Sequence, residues 1–271
     1  MKHTPLLITA LLTFATLGCR SHTAAQAEPD PPKRLRVLTY NIHHGEGMDR
    51  VFDYERLAAV IASTDPDLVA LQEVDRETGR ASGVDQAALL GELTGMYHYF
   101  GQAMPFDGGG YGEAVLSRFA FEETWTVNLS CDPGQEPRAV AAARVRPWGD
   151  DGPEVVFAGT HLCHQSAQTR LNQSREINAA FPEVHQLAIL CGDMNFTTEA
   201  DAYNEIARRW TDTALLFGDP KPTIPATNPR ARIDYVFARP AGAWKIIDVQ
   251  VIDEQVASDH TPVLVVLEVV E

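Results

Sequence analysis

The stretch Leu187–Asn195, LAILCGDMN, joins a short apolar run to an acidic residue and an amide. The apolar part has the length of a buried strand, and open α/β sheets carry their ligand-binding groups at the carboxyl ends of such strands. On an extended backbone Asp193 and Asn195 project to the same side, because side chains alternate with a period of two residues. An acid that orients water and an amide that donates to an oxyanion are groups that a hydrolase requires.

Six other segments contain polar side chains in a comparable setting, mostly at the end of an apolar run. In chain order they are TYNIHHG, LQEVD, YGEAVLS, GTHL, RIDYVF and SDH, and their candidate site residues are Asn41, Glu73, Tyr111, Glu113, His161, Asp234, Asp259 and His260. Oxygen ligands of this kind bind hard divalent cations, and imidazoles transfer protons. The sequence therefore predicts one metal-and-histidine hydrolase site.

Composition limits the size of the fold and the kind of partner. With 271 residues and 45% apolar content, the chain is long enough to bury a full core as one domain. The formal net charge of −15 argues against long nucleic acid as a partner, because Lys and Arg that neutralise phosphates supply most of that affinity. A small phosphate ester, or a lipid headgroup, is compatible with this charge.

The first residues are typical of a leader that directs export. Lys2 precedes an apolar stretch, residues 6–17, that is too short for a permanent membrane span. Two cleavage sites remain open: Cys19 directly after this stretch is typical of a bacterial lipoprotein, and Ala25-Gln26-Ala27 is typical of ordinary signal peptidase cleavage. We therefore predict a leader over residues 1–27.

The mature chain begins with a proline-rich tether. Residues 28–33, EPDPPK, have the composition of an extended segment rather than of a packed element. We predict a single catalytic domain over residues 34–271. Both cleavage sites predict that this domain leaves the cytoplasm, either as a periplasmic or outer-membrane lipoprotein or as a secreted protein.

The spacing of apolar residues predicts about a dozen strands and four helices. The helices are expected over residues 54–61, 89–93, 167–181 and 199–209, and the strands over residues 35–41, 68–71, 97–100, 114–116, 124–127, 140–145, 155–161, 187–190, 233–237, 244–251 and 262–269. The short strands in the middle of the chain are separated by Gly and Pro turns, as antiparallel strands are. This mixture suits two packed sheets with helices outside.

Two loops are expected near the strand ends. The residues after Glu73 include Asp75, Arg76, Arg80, Asp85 and Gln86, which we interpret mainly as a solvated loop that could touch a substrate headgroup. The stretch DGGGYG, residues 107–112, lacks the strand-to-helix context of a phosphate-binding loop. We expect it to form a flexible rim.

Two cysteines flank a predicted hairpin. Cys131 precedes the strand over residues 138–145, and Cys163 follows the strand over residues 155–161. A disulfide between them is a hypothesis for an oxidising compartment. Cys191, inside an apolar run, is expected to be a buried small hydrophobe.

Taken together, the segments resemble the endonuclease/exonuclease/phosphatase superfamily, which has the DNase I-like fold. The resemblance covers about residues 34–269 and rests on these short motifs, which follow one another in the family order. It implies a four-layer α/β sandwich of two mostly antiparallel or mixed sheets, with the site at one end. It also implies hydrolysis of a phosphoester aided by Mg²⁺ or Mn²⁺, with the number of ions left open.

The resemblance implies a set of metal and substrate ligands. Glu73 would be the main metal ligand, and Asn41 and Asp259 would belong to the metal site. Asn41 would supply an amide oxygen or form a hydrogen bond with a metal-bound phosphate, and Tyr111 would either donate its hydroxyl to phosphate or pack in the core as an aromatic residue of a strand. YGEAVLS is similar to the family's YGNAILS, with Glu113 in place of the usual Asn. Glu113 would face the substrate, brace a histidine, or join a second metal position.

The resemblance also implies the catalytic residues. Asp193 would orient or deprotonate the attacking water, and Asn195 would donate to the phosphoryl oxygens. Asp234 would orient His260, which in turn would position water or stabilise the transferring group. His161 would bind the phosphate or protonate the leaving oxygen.

The leading prediction is an exported Mg²⁺-dependent phosphodiesterase that acts on a lipid headgroup or a small phosphodiester. The TYNIHHGEG and VDRETGR stretches resemble bacterial relatives of the lipid-remodelling branch. A phosphomonoesterase for an inositol phosphate comes second, and a secreted nuclease third. A noncatalytic surface-binding lipoprotein is the alternative of another class. We expect a monomer, attached to a membrane if Cys19 is lipidated.

Overall fold

Two six-stranded sheets form the framework of the described chain. The computed structural model describes Met1 and residues 32–270, and Pro32–Glu271 forms one structural unit. Within the described residues the strands are β1 (Arg34–Asn41), β2 (Leu68–Arg76), β3 (Tyr97–Phe106), β4 (Gly109–Ser117), β5 (Phe121–Leu129), β6 (Arg138–Val145), β7 (Val155–His161), β8 (Ala188–Asp193), β9 (Thr211–Asp212), β10 (Asp234–Arg239), β11 (Trp244–Val251) and β12 (Val263–Val269). The predicted leader, with Cys19, lies outside the described residues.

Five helices connect the strands in the described part of the chain. They are α1 (Tyr54–Ser63), α2 (Gln86–Thr94), α3 (Ala167–Ala180), α4 (Asp201–Ala207) and α5 (Thr213–Phe217), and a single 3₁₀ turn, His43–Gly45, follows β1. Side chains cap the first turns of several helices: Asp53 accepts from the Arg56 amide, and Ser166 accepts from the Thr169 amide. Such caps satisfy backbone donors that a helix start leaves unpaired. None of the described helices is long and apolar enough to cross a membrane.

Each sheet contains one parallel pair of strands. The first sheet has the order β11-β12-β1-β2-β4-β3, and the second has the order β5-β6-β7-β8-β10-β9. The pairs β1–β2 and β7–β8 are parallel, and all other described pairs are antiparallel. Helices α1 and α3 cross over between the parallel strands. The carboxyl ends of β1 and β2 therefore meet at one edge of the first sheet, and those of β7 and β8 meet at one edge of the second.

The two sheets pack face to face through small side chains. Gly159 of β7 lies against β2, where an added Cβ would stand 3.0 Å from the Cβ of Ala70. Gly101 of β3 lies against β6, where an added Cβ would stand 2.7 Å from the Cβ of Ala141. Larger buried side chains such as Phe157 and Ile189 belong to the same core. Because the sheets approach closely, residues at the strand ends of one sheet can contact those of the other.

Helices cover the outer face of each sheet. Leu57 and Leu90 lie in the core between the first sheet and helices α1 and α2. Ile177 and Ile206 lie in the core between the second sheet and helices α3 and α4. Full burial of such a side chain contributes about 1.5–3 kcal/mol relative to exposure. The predicted four-layer sandwich of two mixed sheets with helices outside is confirmed.

Several strands are longer than predicted. Strand β2 continues past Leu71 to Arg76, because it keeps pairing with β4. The glycine-rich stretch 107–112 is not a flexible rim: residues from Gly109 onward belong to β4 and pair with β3, and only Asp107 and Gly108 form the turn. Both turn residues have positive φ, 44° and 83°, as a tight hairpin turn often requires.

The structure contains two elements that the sequence pattern did not predict. Strand β9 has only two residues, and helix α5 directly follows it. Within α5 the neighbouring residues Leu215, Leu216 and Phe217 are all exposed, at 52%, 62% and 41%. This consecutive exposure gives no amphipathic period from which a helix could be predicted.

The cysteines are not joined. Cys131 is exposed and Cys163 is buried, and both are free thiols. Cys163 is only 1% exposed, and its backbone N–H donates to the side-chain oxygen of Gln173 in α3 over 2.9 Å. The disulfide hypothesis is therefore wrong for this structure, because one thiol faces the core and the other faces solvent. Cys191 is fully buried, as predicted.

Candidate active site

A β-bulge places Glu73 at the site. On β2, Leu71 pairs with Ala114 and Val74 pairs with Gly112, so that two residues of β2 lie opposite one residue of β4. Glu73 occupies the bulge with a left-handed φ of 59°. Bulges of this kind redirect a side chain from the regular alternation of the strand. The Glu73 carboxylate lines the central cavity, and its side chain is 22% exposed.

Asn41 connects carboxylates from the two sheets. It is the last residue of β1, and its Nδ2 donates to Glu73 Oε1 over 3.1 Å and to Asp193 Oδ2 over 3.2 Å. Its amide oxygen accepts the His43 backbone N–H over 3.0 Å. Asn41 is fully buried and does not line the cavity. The structure thus differs from the predicted ligand role: Asn41 holds Glu73 and Asp193 rather than presenting its oxygen to a cation or a substrate.

Asp193 and Asn195 reach the site through a turn, not through an extended strand. Asp193 ends β8, and Asn195 has a left-handed φ of 50°. The Asp193 Oδ1 accepts the Asn195 backbone N–H over 2.9 Å, which closes the turn. Gly192 is required before it, because a Cβ there would stand 1.8 Å from the Thr160 carbonyl oxygen. The predicted pairing of acid and amide holds, but the predicted alternation along an extended backbone is wrong.

The Asn195 side chain contacts His161, the last residue of β7. Its Nδ2 donates to the Leu162 carbonyl over 3.0 Å and lies 2.9 Å from His161 Nε2. Burial, together with the Arg138 cation, holds the pKa of His161 well below its usual value. A neutral His161 accepts at Nε2 from the Asn195 amide and carries its proton on Nδ1. That Nδ1 is buried and has no hydrogen-bond partner among the described residues.

His260 and Asp234 form a buried hydrogen-bonded pair. The His260 Nδ1 lies 2.9 Å from Asp234 Oδ2, which also accepts the Thr223 hydroxyl over 2.5 Å. The His260 Nε2 points toward Asp193, whose Oδ2 is 3.6 Å away. Burial alone would lower the pKa of His260, but Asp234 and then Asp193 raise it to about 10. His260 is therefore an imidazolium whose orientation Asp234 fixes.

The two carboxylates nearest the cavity have opposite protonation behaviour. Burial raises the pKa of Asp193 to about 7, and the neighbouring Asp234 carboxylate acts in the same direction. Burial also opposes the ionisation of Glu73, yet the His44 side chain and the Asn41 amide hold its pKa well below the usual range. Glu73 is thus a permanent anion, whereas Asp193 can gain or lose a proton near neutral pH.

Glu113 lies behind the cavity rather than in its wall. It is fully buried, and neither carboxylate oxygen has a hydrogen-bond partner among the described residues. Burial raises the pKa of Glu113 well above its usual value. The resemblance included a position facing the substrate among the possible roles of Glu113. The structure instead places Glu113 behind the cavity lining. Tyr111, two residues earlier on β4, does line the cavity and is 5% exposed.

One cavity of about 410 Å³ brings these groups together. Seven of the predicted site residues line it: Glu73, Tyr111, His161, Asp193, Asn195, Asp259 and His260. Asn41, Asp234 and Glu113 support it from behind. His43, His44 and His164 also lie in the lining.

Sequence reasoning missed a further group of lining residues. They are Met104, Phe106, Glu136, Arg138, Ile224 and Ile233. Arg80, interpreted mainly as part of a solvated loop that could touch a substrate headgroup, also lines the cavity, and the loop is not fully solvated because Asp75 and Gln86 are buried. Arg138 gave one available signal, because it is a cation at the start of the otherwise apolar run RAVAAA. A charged residue there needs a buried partner or a functional reason.

The fold and the site define a DNase I-like α/β sandwich with a carboxylate and histidine centre between its two sheets. The chain belongs to the endonuclease/exonuclease/phosphatase family, to which residues 38–260 match. Members of this superfamily are hydrolases of phosphoesters and generally use a divalent metal. The family membership that the motifs predicted is confirmed.

Individual relatives support the same assignment. The chain is similar to an endonuclease/exonuclease/phosphatase from Beutenbergia cavernae, with 29% identity, a TM-score of 0.74, and coverage of 87% of this chain and 72% of that one. It is 25% identical to the uncharacterized protein YbhP of Escherichia coli over 86% of this chain and 97% of that protein. The mannosyl-6-phosphatase of Bacteroides thetaiotaomicron shares the fold at 19% identity, with a TM-score of 0.69 and coverage of 86% and 99%.

Proposed function

We propose that this protein is a Mg²⁺-dependent phosphodiesterase for a small phosphodiester or a lipid headgroup. The observation that carries the proposal is the surroundings of Asp193 Oδ2, which has Asn41, His161 and His260 within 3.6 Å. These neighbours come from both sheets. A carboxylate so placed, beside the anionic Glu73 and at the base of an open cavity, suits the activation of water against a phosphoester.

The donor atoms fit a divalent cation. Glu73 offers an ionised carboxylate to the cavity, and Asp259 lies in the same lining. A second set, Asp193, Asp234 and His260, has ligand atoms within 4.8 Å of one another. We assign the cation to Glu73 and Asp259, because the Asp234 carboxylate is already bonded by His260 and Thr223. When bound there, the cation supplies positive charge for the phosphoryl oxygens.

The protein's own residues supply the proton transfers and the hydrogen bonds of the reaction. Asp193, with its pKa near neutral, takes a proton from the attacking water. The charged His260 donates a hydrogen bond as negative charge grows on the phosphoryl group, whereas both Asn195 Nδ2 protons are already bonded to Leu162 and His161. Neutral His161 holds the Asn195 amide by its Nε2. His260, being the protonated imidazole, suits the donation of a proton to the leaving oxygen better than His161 does.

The test is hydrolysis of bis(p-nitrophenyl) phosphate by the purified protein with Mg²⁺. We expect turnover that a chelator abolishes and Mg²⁺ restores. His260→Ala should lower kcat by about 10²–10⁴-fold, whereas His98→Ala, at an exposed histidine of β3, should leave it unchanged. Faster turnover of p-nitrophenyl phosphate than of the diester would show a phosphomonoesterase, and faster turnover of duplex DNA would show a nuclease. No turnover of any of the three would favour the noncatalytic binder.

Export and a monomeric state are part of the same proposal. Export rests on the sequence: residues 1–27 resemble a leader, and Cys19 is the candidate for lipid attachment. Labelling with radioactive palmitate in a bacterial host, with Cys19→Ser as the control, distinguishes a lipoprotein from a secreted protein. Retention of residues 1–27 on a cytoplasmic product would contradict export. Size-exclusion chromatography of the domain checks the monomer.

A further inference from the structure

Arg80 has a rigid position at the cavity. Its Nε donates to Asp75 Oδ2 over 2.6 Å, and its Nη2 donates to Asp75 Oδ1 over 2.9 Å. Asp75 is fully buried and also accepts the Thr78 hydroxyl over 2.8 Å. The Arg80 backbone N–H donates to Asp107 Oδ2 over 2.7 Å. The bidentate pair and the backbone contact together fix the plane of the guanidinium.

Aromatic rings hold the same guanidinium from another side. The Arg80 Cζ lies 4.5 Å from the centroid of the Phe106 ring and 5.4 Å from that of Tyr111. These distances are within the range of a cation–π interaction. The Arg80 Nη1, by contrast, makes no hydrogen bond to any described residue, and the side chain is 30% exposed in the cavity lining. Arg80 is therefore a fixed cation in the cavity lining that keeps one donor without a partner among the described residues.

A second guanidinium lies beside the same tyrosine. Arg138, the first residue of β6, is 2% exposed and lies next to the Tyr111 hydroxyl. Its Nη1 donates to Glu136 Oε1 over 2.7 Å, and its Nη2 is 3.3 Å from His164 Nδ1. Its Nε has no hydrogen-bond partner among the described residues. The cavity lining thus contains two guanidinium groups beside Tyr111, Arg80 paired with the buried Asp75 and Arg138 paired with Glu136.

A purely structural role does not account for Arg80. Arg76, four residues earlier, shows what such a role looks like: it stacks over Phe100 at 4.6 Å and donates to Gln102 over 2.7 Å, but it does not line the cavity. Arg80 has the same kind of support and in addition presents a free donor to the cavity. A guanidinium that is already immobile loses little entropy on binding an anion, which favours recognition of phosphate or carboxylate.

We propose that Arg80, together with Arg138, forms a second anion subsite next to the hydrolytic centre. The preferred substrate is then a phosphoester that carries a second anionic group, a phosphate or a carboxylate. This inference rests on the proposed function, which places the scissile phosphoester at the carboxylates. Arg80 determines specificity; it does not touch the reacting atoms.

The direct test is binding of inorganic phosphate to the metal-free protein in the presence of a chelator, measured by isothermal titration calorimetry. We expect binding whose Kd rises at least about tenfold in Arg80→Met, because a charged hydrogen bond is lost. The double variant Asp75→Asn/Arg80→Met should show the same loss without leaving a buried carboxylate unpaired. Arg76→Met is the matched control and should change the Kd by less than about twofold. No binding by the wild type, or unchanged binding by both Arg80 variants, would overturn the subsite.

Turnover identifies the anion and separates the two proposals. The substrates are p-nitrophenyl esters of butyl, carboxypropyl and phosphonopropyl phosphate, which differ only in the end of the alkyl chain. We expect kcat/KM to be at least about tenfold higher for one of the two anionic esters, mainly through KM, and this ratio to fall to about one in Arg80→Met. Equal kcat/KM for all three esters would refute the preference. No turnover of any ester, with phosphate binding that still depends on Arg80, would contradict the hydrolase and leave the anion subsite in place.

Discussion

Replacing Glu113 by Gln removes a carboxyl group that the fold keeps protonated. Glu113 is fully buried, and neither of its oxygens has a hydrogen-bond partner among the described residues. Burial raises its pKa well above the usual value, and the Glu136 and Glu73 charges act in the same direction against the Arg138 cation. In the unfolded chain the same carboxyl ionises near pH 4.3. Between these two pKa values the folded state binds one proton more than the unfolded state.

The sign of the pH effect follows from this proton. Stability contributed by a group with a raised folded pKa is present below the unfolded pKa and is lost as the pH rises. Glu113 should therefore lower the free energy of unfolding of the wild type by about 1.4 kcal/mol for each pH unit above about 5, up to its folded pKa. Gln has nearly the same shape and no charge, so Glu113→Gln lacks this loss. The free energy of unfolding of the variant should equal that of the wild type near pH 4 and should exceed it by a growing amount at higher pH.

Urea unfolding of both proteins at pH 5, 6 and 7 measures the difference. Glu92→Gln, at an exposed residue of α2, is the control. Its free energy of unfolding should differ from that of the wild type by the same amount at all three pH values. A Glu113→Gln variant that is less stable than the wild type at pH 7 would refute the reasoning. That result would mean that Glu113 is ionised and paired, for example with the unpartnered Nδ1 of His161.

Three further outcomes follow from the site. Glu73→Gln should weaken Mg²⁺ binding at least about tenfold in calorimetry, while Asp248→Asn, an acid of β11 outside the cavity, should leave it unchanged. At Asn195 the left-handed backbone should make Asn195→Ala about 1 kcal/mol less stable to urea than Asn195→Gly, although both lose activity; equal stability would contradict the strained turn. Thr223→Val should lower kcat with little change in KM, because the hydroxyl that supports Asp234 is lost, and an unchanged kcat would exclude that support.

The sequence predicted the layers of the fold better than the ends of its strands. The sequence located β7 and the crossover helix α3 within a few residues, β7 as a mainly apolar run that is buried throughout and α3 as the polar helix between two such runs. It ended β2 at Leu71, since the residues that follow are charged and polar. The structure continues this strand because Asp75 and Gln86 are buried together, with the Asp75 amide donating to the Gln86 side chain over 2.8 Å. Long-range partners of this kind leave no local pattern.

The residues of the site were easier to predict than their geometry. Acids, amides and histidines at strand ends gave a short set of candidates, and most of them line the cavity. The sequence did not reveal the left-handed backbone of Glu73 and Asn195, since neither residue is a glycine. It also could not show that Arg80 reaches the cavity, because its position depends on a buried carboxylate and on aromatic rings of two other strands.

Four of the nine described non-glycine residues with positive φ line the cavity, and their placement bears on function. His43, His44, Glu73 and Asn195 all have φ between 45° and 59°, and all four line the cavity. A non-glycine residue in such a conformation costs about 1–3 kcal/mol, so the surrounding packing must stabilise these conformations against relaxation. The Asn41 amide provides one restraint, because it binds Glu73 and Asp193 from different sheets. The geometry of the site thus depends on how the two sheets pack, and substitutions in the core between them should lower activity before they unfold the protein.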